Sequence, residues 1–164
     1  KLRDSAPMLF YTADLERMRI DSAGRVTMPY QPHAQVYKNN GGNDTVAGAT
    51  TVVWNGVSSN IGNIYNVANG RFTVPVAGRY MVATVIMTGS ANKYGIYNIR
   101  RNGNNTFPEN WVQGYNYGTN NDKMLTFSGV VDLNANDYLD VYVAGTNNSL
   151  YWGGYNYMTV TLVG

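Results

Sequence analysis

Apolar and polar positions along this chain alternate in short runs, and no stretch sustains the period of a helix. The pattern is sharpest from Trp54 to Val82, WNGVSSNIGNIYNVANGRFTVPVAGRYMV, where Trp54, Tyr65, Phe72 and Tyr80 stand between Asn and Gly turn residues. Phe72 and Val74 share one parity, and Tyr80, Val82 and Thr84 share another, so two strands each bury one face. Pro75, which has no N–H for a ladder, separates them together with Gly78, which tolerates the positive φ of a tight corner. This corner is expected in the core.

Ahead of it, residues 1–32 carry three short strand-like runs, MLFYT, RMRID and RVTMP, spaced by ADLE and SAG turns. In RMRID, Met18 and Ile20 share one face and Arg17 and Arg19 the other. So few apolar positions cannot build an independent core, and copies of the segment are expected to bury Met18, Ile20, Val26 and Met28 together. MPYQP, with Pro29 and Pro32, reads as an extended linker, and the domain boundary is placed there, between 1–32 and 33–164.

Beyond the boundary, HAQVYKN reads as a first strand, NNGGND as a loop and TTVVWN as a second strand. GRYMVATVIMTG is a β-branched run suited to a central strand. YGIYNIRRNG alternates, with Tyr94, Ile96, Asn98 and Arg100 opposite Tyr97 and Ile99. KMLTFSGVVDL and DYLDVYVAG read as a strand pair across LNAND, and YMTVTLV closes the chain. Short strands at this regular spacing, with Gly and Asn turns, predict an all-β sandwich or jelly roll.

Composition agrees. Of 164 residues only 13% are charged and 44% are hydrophobic, with 14 Tyr and 18 Gly. A net charge of +2 and a pI near 8.8 are too mild for a nucleic-acid footprint. Without cysteine there is no disulfide framework and no thiolate metal site. No apolar run reaches the length of a membrane span, so no membrane insertion is expected. A first residue of Lys1 reads as a C-terminal piece of a longer protein.

TADLERMRIDSAGRVTMP, about residues 12–29, resembles the segment that ends the shaft of many bacteriophage tail fibres and tail spikes. The resemblance implies a homo-oligomeric shaft or neck, a place in a virion assembled in bacterial cytoplasm, and other virion tail proteins as partners through upstream sequence. The spacing of Trp54, Asn60, Tyr65, Phe72, Gly78 and Tyr80 resembles the signature of the complement C1q-like domain, a relative of the tumour necrosis factor jelly roll. Trp54 stands where that family usually has Phe, and Val82 and Thr84 where further aromatics are usual. Asn136-Asp137 replaces a Gly-Asp turn, and Thr159 replaces a usual Gly. This second resemblance covers about residues 33–164 and implies a homotrimeric head, with the first and terminal strands around the three-fold axis.

Candidate chemistry is sparse. The one histidine, His33, has no cysteine or nucleophile elbow to work with, which excludes a Ser-His-Asp or Cys-His hydrolase. Glu109 and Asp122 flank an aromatic loop and are conceivable as a glycosidase pair; solvated loop charges are the plainer reading. Asp132, Asp137 and Asp140 lack the alternating pattern of a calcium loop. No metal or cofactor is expected. Acceptor patterns for N-glycosylation at Asn43, Asn104 and Asn147 are what so Asn-rich a chain produces by chance.

Two segments, NWVQGYNYGTNND (110–122) and NNSLYWGGYNY (147–157), have the composition of an antibody paratope, rigid amphipathic rings among small polar residues. Sugars suit the same mixture. Trp111, Tyr115, Tyr117, Tyr151 and Trp152 are the candidate ligand-binding residues, with Arg100 and Arg101 as possible contacts for acidic sugars. Tyr155 and Tyr157 read equally as the start of the last strand. The combined expectation is a non-enzymatic homotrimeric C1q-like head on a short β-rich neck, the tip of a tail fibre, adhering to host cell-surface polysaccharide or glycoconjugate. A purely structural trimerisation cap is the alternative, and a glycan depolymerase a weaker one.

Overall fold

The computed structural model describes residues 6–39, 41, 44–46, 49–88, 95–106, 110–116, 123–145, 148–151 and 153–164; for 44, 45, 95, 110, 112–116, 148, 149 and 153 it describes the backbone only. The chain divides into two compact units, Lys1–Gln31 and Pro32–Gly164.

The first unit is a three-stranded antiparallel sheet of β1 (Met8–Thr12), β2 (Leu15–Ile20) and β3 (Val26–Thr27). Thr12 pairs Leu15, so Ala13 and Asp14 form a two-residue turn, both with positive φ (49° and 59°). The turn between β2 and β3 is made by Asp21, whose Oδ1 accepts from the amides of Ala23 and Arg25, both at 2.9 Å. Gly24 supplies the positive φ of 82° that closes it. No described residue of this unit is buried; Met8, Phe10 and Val26 remain 40%, 46% and 52% exposed.

The second unit opens with β4 (His33–Tyr37), β5 (Asp44–Val46), β6 (Thr50–Thr51), β7 (Gly56–Ile61), β8 (Tyr65–Asn66) and β9 (Arg71–Thr73). It continues with β10 (Gly78–Thr88), β11 (Gly95–Arg101), β12 (Asn110–Asn116), β13 (Lys123–Leu133), β14 (Tyr138–Ala144), β15 (Asn148–Leu150) and β16 (Tyr157–Leu162). Gly153–Tyr155 forms one 3-10 turn, and there is no α-helix among the described residues. A seven-stranded sheet runs β5-β15-β10-β16-β4-β7, with β13 on the other side of β10. A six-stranded sheet runs β12-β11-β14-β9-β8, with β6 paired to β14. The two sheets enclose the core, whose largest fully buried side chains are Trp54, Tyr80, Tyr97 and Phe72. This is the expected jelly-roll β-sandwich.

The expected corner lies in that core: Phe72, Val74, Tyr80 and Val82 are fully buried and Thr84 nearly so. Val74 donates its amide to the Asp137 carbonyl and accepts from the amide of Asn136, while the Tyr80 hydroxyl donates to the Val76 carbonyl at 2.9 Å. Gly78 has a different reason from the one expected. Its φ is not positive; a Cβ there would come within 2.7 Å of Leu162 and 2.9 Å of the Gly164 carbonyl. It makes room for the chain end.

Three strand readings need correction. KMLTFSGVVDL and DYLDVYVAG do not pair: β13 spends all eleven of its positions on β10, and β14 lies in the opposite sheet against β11, β9 and β6. The turn between them, with Asn136 at φ 72°, carries the chain across the sandwich. In TTVVWN only Thr50 and Thr51 join a ladder, while Val52 and Trp54 are buried without one. NWVQGYN is no loop; it is β12, which pairs with β11. Gly and Asn conceal it as strand sequence, and only the neighbouring strand supplies its ladder.

A candidate ligand-binding end of the head

Pro32 accepts a hydrogen bond from the Leu162 amide, and Leu162 pairs Tyr80 near the start of β10. The chain therefore enters this unit at the Gly78 end of β10. Ten residues later, about 34 Å along the strand, Thr88 pairs both Leu150 and Lys123. In the facing sheet, Gly95 pairs Asn116 and Ile96 pairs both Tyr115 and Ala144. Tyr115 and Asn116 of the first aromatic segment and Leu150 and Tyr151 of the second thus stand at the end of the sandwich remote from the entry point.

The best-built part of this end is the segment after β15. Asn156 is fully buried, and its side-chain oxygen accepts from the Met87 amide at 2.8 Å while its side-chain nitrogen donates to the Tyr151 carbonyl at 2.6 Å. The Tyr151 amide donates to the Met87 carbonyl at 2.7 Å, and the Lys38 amide donates to the Asn156 carbonyl at 3.0 Å. One carboxamide thereby does the work of a missing ladder rung. It ties the turn to β10 and to the end of β4. On this support the Tyr151 and Tyr155 rings meet edge to face, with centroids 5.2 Å apart and planes at 81°. Tyr155 remains 46% exposed and Tyr157 38%.

The other candidates are placed differently. Trp111 lies on β12, half-buried and packed against the core, so much of its surface is spent inside. Tyr115 lies on the same strand. Tyr117 and Trp152 are outside the described residues, as are Glu109, Asp122, Asn43 and Asn147. Arg100 does not face a ligand. It is buried, with Nε and Nη2 on the two carboxylate oxygens of Asp140 at 2.9 and 2.6 Å, and its guanidinium lies 3.8 Å from the Tyr142 ring centroid. Alternation alone placed Arg100 on a face, and only Asp140 from the neighbouring strand explains why that face is closed. Arg101 reaches the Asp132 carbonyl.

Two of the three aspartates are likewise committed. Asp140 is fully buried on Arg100, and Asp137 accepts from Asn102 at 2.7 Å and from the Asn134 amide at 2.9 Å. Burial pushes the Asp137 carboxyl up, but those bonds and the Arg101 charge outweigh it and hold it below the usual range. No group of three metal-ligating side chains converges among the described residues. His33 bonds Thr161 Oγ1 at 2.7 Å through Nδ1, a structural contact at the start of β4.

The outward positions of the seven-stranded sheet form a second surface. On β10 these are Met81, Ala83, Val85 and Met87; on β13, Met124, Thr126, Ser128 and Val130. Tyr157, Thr159 and Thr161 of β16 continue it. Charge appears at its margin, where Arg79 pairs Asp132. Met81 is 46% exposed, and Met124 and Val130 are each 62% exposed.

The C1q domain family profile matches residues 35–161. The chain belongs to the C1q domain family. Solved structures agree in fold. The globular domain of zebrafish complement 1qA superposes with a TM-score of 0.64 at 14% identity, covering 82% of this chain and 98% of that one. Eiger TNF from S. frugiperda gives 0.63 at 16% identity over 82% and 93%. Murine APRIL at pH 5.0 gives 0.62 at 12% identity over 81% and 99%. No curated protein matches the chain. The C1q signature positions have physical reasons here. Trp54, Tyr65, Phe72 and Tyr80 fill the core, and Asn60 exchanges two hydrogen bonds with the backbone of Tyr65, at 2.9 and 3.0 Å.

Proposed function

We propose that three copies of this C1q-family chain form a receptor-binding head at the tip of a bacteriophage tail fibre, adhering to host cell-surface polysaccharide or glycoconjugate. The observation that carries the association is the uncharged outer face of the seven-stranded sheet. Met81, Val85, Met124 and Val130 stand there among Ala, Ser and Thr, with no charged row across the described residues of its middle. A monomer gains nothing from such a face. A closed ring of three buries it and aligns three recognition ends, so that weak sugar contacts sum to avid adsorption.

The phage setting rests on TADLERMRIDSAGRVTMP and the virion location that its resemblance implies. The head is read as a binder and not an enzyme. Sedimentation equilibrium of the full chain tests the association: trimers are expected for the wild type and monomers for Val85→Arg. A monomeric wild type would sink the proposal. Adsorption of the labelled chain to a panel of bacterial strains tests adhesion, and binding to none would count against it.

One observation favours a second, structural role for the same trimer. The described residues of 1–31 bury nothing, so that segment needs other copies to fold, and a trimeric head would deliver them. Removing residues 33–164 separates the readings, because a segment that still trimerises needs no head to cap it.

A further inference from the structure

We infer that the Tyr151–Tyr155 ring pair is the carbohydrate-stacking platform of the head, with Asn156 as the residue that positions it. The inference rests on the glycan-binding reading above and assigns it a place. Sugar rings present an apolar C–H face flanked by hydroxyls, and an aromatic ring held still beside polar backbone matches both. Tyr155 offers such a ring. It is nearly half exposed, yet its orientation is set by the edge-to-face contact with Tyr151, so ligand binding does not have to pay for ordering a free side chain.

The support beneath the pair is unusually firm for a segment that joins two strands. Tyr151 is held by its amide on Met87 and by its carbonyl on Asn156, and Asn156 is itself fully buried and anchored to Met87 and Lys38. Tyr151 is half-buried over this anchor, and Tyr155 is the exposed member of the pair. The platform also stands at the end of the sandwich opposite the point where the chain enters, the end a fibre tip would present.

The test uses the full chain and a panel of purified bacterial surface polysaccharides, with neutral and acidic repeats, measured by biolayer interferometry. Tyr155→Ala is expected to lose about tenfold in affinity, the scale of one aromatic contact. Tyr155→Phe is expected to stay within about twofold, since stacking does not need the hydroxyl. Both variants should keep the wild-type sedimentation; Tyr155→Phe should keep the melting temperature too, while Tyr155→Ala gives up the edge-to-face contact and should lower it by only a few degrees. Asn156→Ala should weaken binding and flatten the near-ultraviolet dichroism of the coupled tyrosines; a destabilised fold with that signal intact would refute positioning. Equal binding by wild type and Tyr155→Ala overturns the platform and leaves the glycan reading standing. A wild type that binds no polysaccharide overturns the glycan reading and the platform with it. A chain that binds cells through Tyr155 but none of the polysaccharides points to a protein receptor, which also overturns the inference.

Discussion

The hydroxyl of Tyr65 donates to the carbonyl oxygen of Trp54 at 2.7 Å and accepts from the Trp54 amide at 2.8 Å. One side chain satisfies both backbone groups of a buried residue that lies outside every strand. Asn60 performs the matching service for Tyr65. The aromatic spacing of the C1q signature is therefore a hydrogen-bond relay as well as a set of core fillers, which is how a segment this rich in Asn and Gly stays buried.

Tyr65→Phe keeps the ring, which packs 4.7 Å from that of Phe72, and removes both bonds. Leaving the amide and carbonyl of Trp54 buried and unpaired should cost about 2–4 kcal/mol. Urea denaturation followed by tryptophan fluorescence measures it.

Burial pushes the Tyr65 phenol up to about 12, against the weaker opposing bond from the Trp54 amide. A folded value above the unfolded one means that the group's contribution is complete below the unfolded value of 10.0 and is lost as pH rises towards about 12. Stability should fall across that interval, and the wild type should lose more of it than Tyr65→Phe. Denaturant midpoints recorded at increasing alkaline pH would show the difference.

Asp137 has the opposite sign. Its folded value lies below the ordinary value of 3.8, so its contribution is present above that pH and disappears as pH falls through the lower folded value. Asp137→Asn should flatten the acid limb of the stability profile. It should also loosen the turn that carries the chain from β13 to β14, seen as faster amide exchange at Asn134 and Tyr138.

Breaking the Arg100–Asp140 pair from one side leaves a buried charge without its counter-ion. Asp140→Ala should destabilise by about 3–5 kcal/mol, whereas replacing both residues by apolar ones of similar volume should cost far less. Thermal denaturation of the single and double variants separates the two outcomes.

In the neck segment, Ala13 and Asp14 both adopt positive φ in the turn between β1 and β2, which disfavours side chains with a Cβ. Asn-Gly suits this turn. Ala13→Asn combined with Asp14→Gly should stabilise the hairpin by about 1–2 kcal/mol, read from the protection of β1 and β2 amides against exchange.

The sequence by itself determined the all-β class, the buried corner and the C1q family. Each depends on local alternation or on residues at fixed spacing, and Trp54, Tyr65, Phe72 and Tyr80 announce themselves in that way. It also marked the Tyr-rich segments. Tertiary structure decided what those residues do. Trp111 and Tyr155 have the same look in sequence, but a ladder with β11 draws Trp111 against the core while Tyr155 stays 46% exposed beside a Tyr151 that Asn156 holds. Arg100 looked like a ligand contact until Asp140, forty positions away, closed on it. Likewise β13 and β14 are adjacent in sequence and compatible as a hairpin, yet β10 and β11 compete for them and win, because the jelly roll sends neighbours to opposite sheets. Partner choice between distant strands is a contest between alternatives of similar local quality, and only the assembled core settles it.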